Sequence, residues 1–243
     1  MKDLIFTFAK AIKNFKTTIM KSFFLLMLCY LTAITVSAQS NVFMADNVTG
    51  NLYRPNAETD IEGTRFLFED WMPGVIYMKD GRKAEKFLLK FDFYSNELLF
   101  LHDGKPLVVV NPVKEFVITP VIGTPCLFRR GYQPVERNDE LSYYQVIQDG
   151  PVSLLKFTSK IINERKEYSK AGSIKEYNTS INYFIAKSNG EIVKIKKDKQ
   201  SLLSAIGDAD GKLQAWVDKN KIRCKTEEDM MTVVKAYNDN LPK

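Results

Sequence analysis

The sequence predicts an α+β fold: a mainly antiparallel β meander, forming a curved sheet or a partly open barrel or sandwich, followed by about three C-terminal helices. Three observations carry this. Phe87, Leu89, Phe91 and Phe93 alternate with Leu88, Lys90, Asp92 and Tyr94, the period of two that marks a strand with one strongly apolar face. Asp-Gly or Asn-Gly pairs at 80–81, 103–104, 149–150 and 189–190 separate apolar runs, and such pairs are the strongest short-range hairpin signal, because glycine supplies the positive φ the turn needs. Beyond residue 197 the apolar spacing becomes helical: Leu202, Leu203 and Ile206, then Leu213, Trp216 and Val217, then Met230, Val233, Val234 and Tyr237.

In chain order, the first element is a leader. Residues 20–40 read MKSFFLLMLCYLTAITVSAQS. Lys21 supplies a positive start, Ser22 to Val36 an apolar run, and Val36-Ser37-Ala38 the small residues that signal peptidase requires. The run is shorter than the roughly 20 residues that span a bilayer. Residues 1–38 are therefore read as a signal peptide cleaved near Ala38–Gln39, with a periplasmic or secreted product that has no membrane span in the mature chain. Cys29 is preceded by Leu28, where a lipidation signal wants Gly or Ala. Residues 1–19 place Leu4, Phe8, Ile12, Phe15 and Ile19 on one helical face among lysines. Two readings of them stand: a membrane-surface helix, or, preferred, an extension upstream of a start at Met20.

Residues 39–61 are polar and aperiodic and read as an extended N-terminal arm. Residues 62–197 form the antiparallel region. Its strands are expected at Val75–Lys79, Phe87–Tyr94, Leu98–Leu101, Leu107–Val110, Glu115–Thr119, Tyr143–Ile147, Val152–Ile162, Ile181–Lys187 and Glu191–Lys196, within a total of roughly eight to ten. Proline and charge cluster at Gly131 to Asp139, a weak subdomain boundary. Residues 198–243 are the helical segment, packed on the sheet. Asp198 and Asp208 are placed to cap its first two helices, and Thr226 with Asp229 gives the third a near capping box.

Composition narrows the chemistry. The chain is formally +6, but residues 1–38 carry five lysines and one aspartate. The remaining 205 residues hold 30 basic and 28 acidic side chains, so charge gives no case for nucleic acid. Lys194 to Lys199 read as a solvated face. The single histidine, His102, falls in a turn between Leu101 and Asp103. No G-x-S-x-G surrounds a serine, and zinc sites need clustered His and Cys. The twelve glycines never reach a phosphate-loop or dinucleotide spacing. No catalytic, cofactor-binding or metal residue is assigned, and no cofactor is expected. Paired carboxylates remain open: Glu69 and Asp70 precede Trp71, and Asp92 lies among aromatics, the setting a glycosidase pair requires. Asp92 is expected on the polar face of its strand, beside Lys90. Cys126 and Cys224 read as free or partly buried thiols rather than a disulfide.

The run GTRFLFEDWMPGVIYMKDGRKAEKFLLKFDFYSNELLF (63–100) resembles the N-terminal part of a widespread family of small exported Bacteroidota proteins. The family's pattern, G-T-x-x-L/F…W…G-x-V…D-G…L-K-x-D-x-Y-x-x-E-L-L-F, is met by Gly63, Thr64, Trp71, Gly74, Val75, Asp80, Gly81, Leu89, Lys90, Asp92, Tyr94, Glu97, Leu98, Leu99 and Phe100. VNPVKEF (110–116), FRRGY (128–132), YYQVIQDGPVSLLK (143–156) and the helical ending continue it. The resemblance implies an exported Bacteroidota protein and supplies no activity and no site. Cys126 and Cys224 are not part of the pattern, which lowers the case for a disulfide.

Three functions are weighed. The first is a non-enzymatic envelope protein that binds an unknown protein, envelope component or glycan, offering strand edges to it. The alternative is a periplasmic carrier or sensor of an apolar, lipid-like ligand held in a concave pocket. The third is a carboxylate-dependent hydrolase. The concave side of the sheet separates them: a filled core, an apolar cavity, or a cleft with facing acids.

Overall fold

The alternating runs fold as antiparallel strands in a computed structural model, which describes residues 42–45, 48–55, 60–166, 173–208 and 210–239. The expected leader, Cys29 and the first residues of the arm lie outside the described residues. The first strands are β1 (Val42–Ala45), β2 (Val48–Leu52), β3 (Ile61–Glu62) and β4 (Met72–Met78). Next come β5 (Lys83–Asp92), β6 (Glu97–His102), β7 (Lys105–Val109), β8 (Val113–Ile118) and β9 (Cys126–Arg129). The last are β10 (Tyr144–Gln148), β11 (Val152–Lys166), β12 (Ser173–Lys187) and β13 (Ile192–Ile195). Three helices follow: α1 (Lys199–Ile206), α2 (Lys212–Lys219) and α3 (Glu227–Asn238). The fold is α+β, and residues 42–243 form one compact unit.

The strands make one unclosed sheet in the order β1-β2-β7-β6-β5-β4-β8-β9-β10-β11-β12-β13, with β3 added in parallel to β12. It is a meander with two returns: β2 pairs with β7, and β8 crosses back to the free side of β4. Asp103 and Gly104, both at positive φ (48° and 72°), close the β6–β7 hairpin as its sequence requires. Gly74 serves a different need. A Cβ there would lie 2.6 Å from the Val117 carbonyl oxygen and closer still to the Leu89 side chain.

Three clusters fill the structure. In the first half of the sheet the inward residues of β4 to β9 meet one another. Phe116 stacks on Phe128 with ring centroids 5.0 Å apart, and Phe91 contacts Phe128 and Tyr143 at 4.9 and 5.7 Å. In the second half the helices cover one face of β10 to β13, where Leu154, Tyr183 and Ile185 pack with Leu202, Leu213, Val217, Met230, Val233 and Val234. On the opposite face Tyr144, Leu155 and Phe184 are covered by Tyr132 and Val135.

The helix caps follow from the sequence. The Ser201 N–H donates to Asp198 Oδ1 (2.7 Å), and Gly207 ends α1 in the left-handed region. Asp208 receives the Leu213 and Gln214 N–H groups (3.1 and 2.7 Å), three residues ahead of the nominal cap Gly211. The Asp229 N–H donates to Thr226 Oγ1, while Asp229 Oδ2 accepts from the Lys225 N–H. The far end of α3 is anchored to the sheet: Asn238 accepts from the Val152 N–H at 3.1 Å and donates to its carbonyl at 2.7 Å.

The structure departs from the sequence reading in four places. The stretch read as an extended arm contributes β1, β2 and β3 to the sheet, and Val48 is fully buried. Strands of four, five and two residues are too short to show a period, and β2, reading VTGNL, carries no apolar stripe. Strand β9 was not expected; four residues between Pro125 and Arg130 are too few to show a period. Strands β11 and β12 run 15 residues each, beyond the expected Ile162 and back before Ile181. Asp92 does share a face with Lys90, but that face is covered at Asp92, which is fully buried.

Candidate functional site

The segment leading into β4 continues that strand's side of β5, with Phe66 opposite Asp92. The Leu67 N–H donates to the Phe91 carbonyl and the Phe93 N–H to that of Arg65, both at 2.9 Å. This brings Arg65 over the end of β5, where its Nη2 meets Asp92 Oδ2 at 2.7 Å. The same carboxylate oxygen accepts from the Tyr53 hydroxyl at 2.9 Å, and Oδ1 accepts from the Tyr94 and Ser95 N–H groups. The Arg65 guanidinium stands 4.8 Å from the centre of the Tyr94 ring. Burial works against its charge, but the hydrogen bond and charge of Asp92 more than restore it, so its pKa is raised. Burial, and then the Asp92 charge, raise that of the Tyr53 phenol. Both oxygens of Asp92 are thus engaged and closed to solvent. Lys90, next along the face, sits between the half-buried rings of Phe66 and Trp71, at 4.7 and 5.2 Å.

A second ion cluster ties the two halves of the sheet. Arg129 forks onto both oxygens of Asp149 (2.9 and 2.8 Å) and turns its Nε to Glu115 (2.7 Å). The fork holds the Asp149 carboxyl below its usual range, against the effect of burial. Its geometry is bidentate and matches a planar carboxylate.

The β11–β12 ribbon is the part of the fold with the least cover. Val152 to Leu155 and Tyr183 to Ala186 are buried at its root. Beyond Lys156 no residue of β11 is buried, and Asn178 to Ile181 of β12 are exposed. One face there carries Thr158, Lys160 and Ile162 opposite Ile181, Thr179 and Tyr177; the other carries Ser159, Ile161 and Asn163 opposite Ser180, Asn178 and Glu176. Hydroxyls and amides make up seven of these twelve side chains, interspersed with Lys160, Glu176, Ile162 and the exposed Ile161 and Ile181 (52% and 46%). Tyr177 leans edge-on to Tyr94, with centroids 5.8 Å apart, so the ribbon joins the Arg65–Asp92 cluster on one side.

Other residues singled out by sequence lie apart from this surface or are already engaged. His102, expected in a turn, is instead the last residue of β6, opposite Lys105, with its Nε2 3.5 Å from Asp103. Cys126 is half-buried and Cys224 buried, both free. Burial, reinforced by the charge of Asp229, pushes the Cys224 thiol up to about 11. In the Lys194–Lys199 stretch, Lys194 pairs with Glu136, Lys199 with Asp218, and Lys197 covers the Tyr183 ring. An open groove of about 450 Å³ between α2 and α3 is lined by Asp208, Asp210, Lys212 and Asn238; these groups already cap α2, pair with each other or hold Val152. Among the described residues, no three His, Cys, Asp or Glu side chains are grouped to hold a metal ion, and no helix is long and apolar enough to cross a membrane.

Sequence reasoning missed Arg65 and the outer ribbon. Arg65 lies within the run 63–100, but nothing local pairs it with a residue 27 positions on. The outer ribbon has no buried face and so no period to read. No family model, curated protein or solved structure matches this chain.

Proposed function

We propose that this chain is an exported, non-enzymatic binding module of the cell envelope that takes a protein or glycan partner on the β11–β12 ribbon. The observation that carries the reading is the ribbon itself. Its root is built into two cores, while its outer half is uncovered and rich in hydroxyls and amides. Ordering bare backbone and side chains costs free energy that burial normally offsets, so a long ribbon without cover suits a surface completed by a partner. The leader pattern at residues 20–40 supports export. A carrier of apolar ligands needs an apolar cavity, whereas Phe91, Phe116, Phe128 and Tyr143 pack ring against ring in the core of the first half of the sheet.

The test is native mass spectrometry of the protein purified from its own periplasm, with N-terminal sequencing of the same sample. The reading expects a chain starting at Gln39 with a protein or glycan bound, lost when Ile161 and Ile181 are replaced by aspartate. Bound lipid would instead favour the carrier. A chain that still contains Phe23 to Val36 would overturn cleavage at Ala38–Gln39.

A further inference from the structure

The ribbon has two long edges, and they are treated differently. The outer edge of β11 is guarded. The Lys160 N–H already donates to the Phe93 carbonyl at 3.2 Å, and Glu164, Arg165 and Lys166 follow. Strand β13, the last in the sheet, carries Lys194 and is joined by its C-terminal end to α1. Charges of this kind are how sheet edges resist pairing with other chains.

The outer edge of β12 is occupied at its ends and open in between. β3 pairs with Lys175 and Glu176, and β13 begins at Tyr183. Among the described residues nothing pairs with the outer edge of Tyr177-Asn178-Thr179-Ser180-Ile181-Asn182. The stretch contains no charge, proline or glycine.

The direction of its backbone groups follows from the register. In an antiparallel ladder, a residue whose N–H points away from its partner strand belongs to a pair in which both residues turn N–H and C=O outward. Lys160 donates away from β12, and it lies opposite Thr179. Thr179 therefore points away from β11. By alternation so do Tyr177 and Ile181. Lys187, of the same parity, does so visibly, donating to the Glu191 carbonyl at 2.9 Å. Three N–H and three C=O groups are thus aimed out of the sheet along a gap of six residues, roughly 20 Å of strand.

Resting on the binding-module reading above, we propose that this gap is a strand-addition site for an extended, uncharged polypeptide segment of a partner protein. The occupant is a short free segment because both ends of the gap are blocked in the plane of the sheet. A second copy pairing through the same edge would bring its β3 onto this copy's β13. The occupant carries an aliphatic side chain to cover Ile181, and no charge opposite Thr179. Backbone bonds then give affinity and the Ile181 contact gives register.

The experiment presents the full chain with a pool of seven-residue peptides drawn from Thr, Ser, Val and Ile, each ending in Lys for solubility, and sequences those retained. Thr179→Pro removes one outward N–H without touching the β11 ladder, a position where an edge strand tolerates proline. Ile181→Lys places a charge on the edge and tests the same gap should the proline variant melt early. Ser180→Ala, whose N–H faces β11, is the control. Enrichment on the wild type and on Ser180→Ala, reduced at least about tenfold on Thr179→Pro and Ile181→Lys, is the expected result. Equal enrichment on all four, or none on any, overturns the proposal. So does a wild-type dimer in light scattering that Thr179→Pro makes monomeric, since the edge would then pair with itself. A glycan bound in native mass spectrometry and unaffected by Thr179→Pro would remove the peptide site and leave the binding-module reading standing.

Discussion

Replacing Asp92 by asparagine should destabilise the protein by about 3–5 kcal/mol, the typical cost of stripping one partner from a buried ion pair. The magnitude follows from the surroundings. Asp92 is fully buried, and its Arg65 partner is 11% exposed. Asparagine keeps the Oδ1 bonds to the Tyr94 and Ser95 N–H groups. It puts an amide donor where Oδ2 received Arg65 and Tyr53. Two donors then face each other and the guanidinium has no counter-charge. Arg65→Met should cost less, about 1–3 kcal/mol, because the carboxylate keeps three hydrogen bonds. In the double variant Arg65→Met/Asp92→Asn the amide can donate to the Tyr53 hydroxyl, and the cost should fall below that of Asp92→Asn alone. The assay is urea unfolding of all four proteins followed by tryptophan fluorescence and circular dichroism, with the coupling energy taken from the cycle. A loss below about 1 kcal/mol for Asp92→Asn, or strict additivity in the double variant, would refute the claim that a buried charge pair holds the Gly63–Trp71 segment on β5.

Three further outcomes are expected. Gly74→Ala should cost about 1–3 kcal/mol by overpacking against Leu89 and the Val117 carbonyl; thermal melting unchanged from wild type would contradict the close approach. Deleting residues 226–243 should abolish cooperative unfolding. It removes the fully buried Met230, Val233 and Val234, each contributing about 1.5–3 kcal/mol against a typical net stability of about 5–15. A fragment ending at Lys225 that melts like the full chain would make α3 a detachable tail. Cys224 gives a pH signature. Its folded pKa is raised from 9.0 to about 11, so the stability contributed by the neutral thiol is intact below pH 9 and lost as pH rises through 11. The wild type should lose more stability than Cys224→Ala across that window in parallel urea titrations, and identical slopes would contradict it.

The sequence by itself determined the fold class, nine of the strands and the helix caps. Each depends on a rule that acts over a few residues. Alternation set which side of β5 faces inward, Asp-Gly pairs set the hairpins, and Asp198, Asp208 and Thr226 satisfied N–H groups close by in the chain. The rings of Phe87, Phe91 and Phe93 were marked for one apolar face by that alternation, whereas Phe128 sat in a stretch that showed no strand. Only the tertiary structure decided where the sheet turns back, with β2 against β7 and β8 against β4. Pairing between distant strands is fixed by backbone bonds that any residue except proline can make, so composition leaves no trace of it. The same reason hid β2 and β3, whose residues carry no apolar stripe. Asp92 could be placed on a polar face from its neighbours. Whether that face met water or an arginine depended on a segment arriving from residue 65. The candidate surface was least legible of all. The outer ribbon shows no hydrophobic period because neither of its faces is buried. Its open edge exists only because β3 and β13, 130 positions apart, stop short of one another on the same strand.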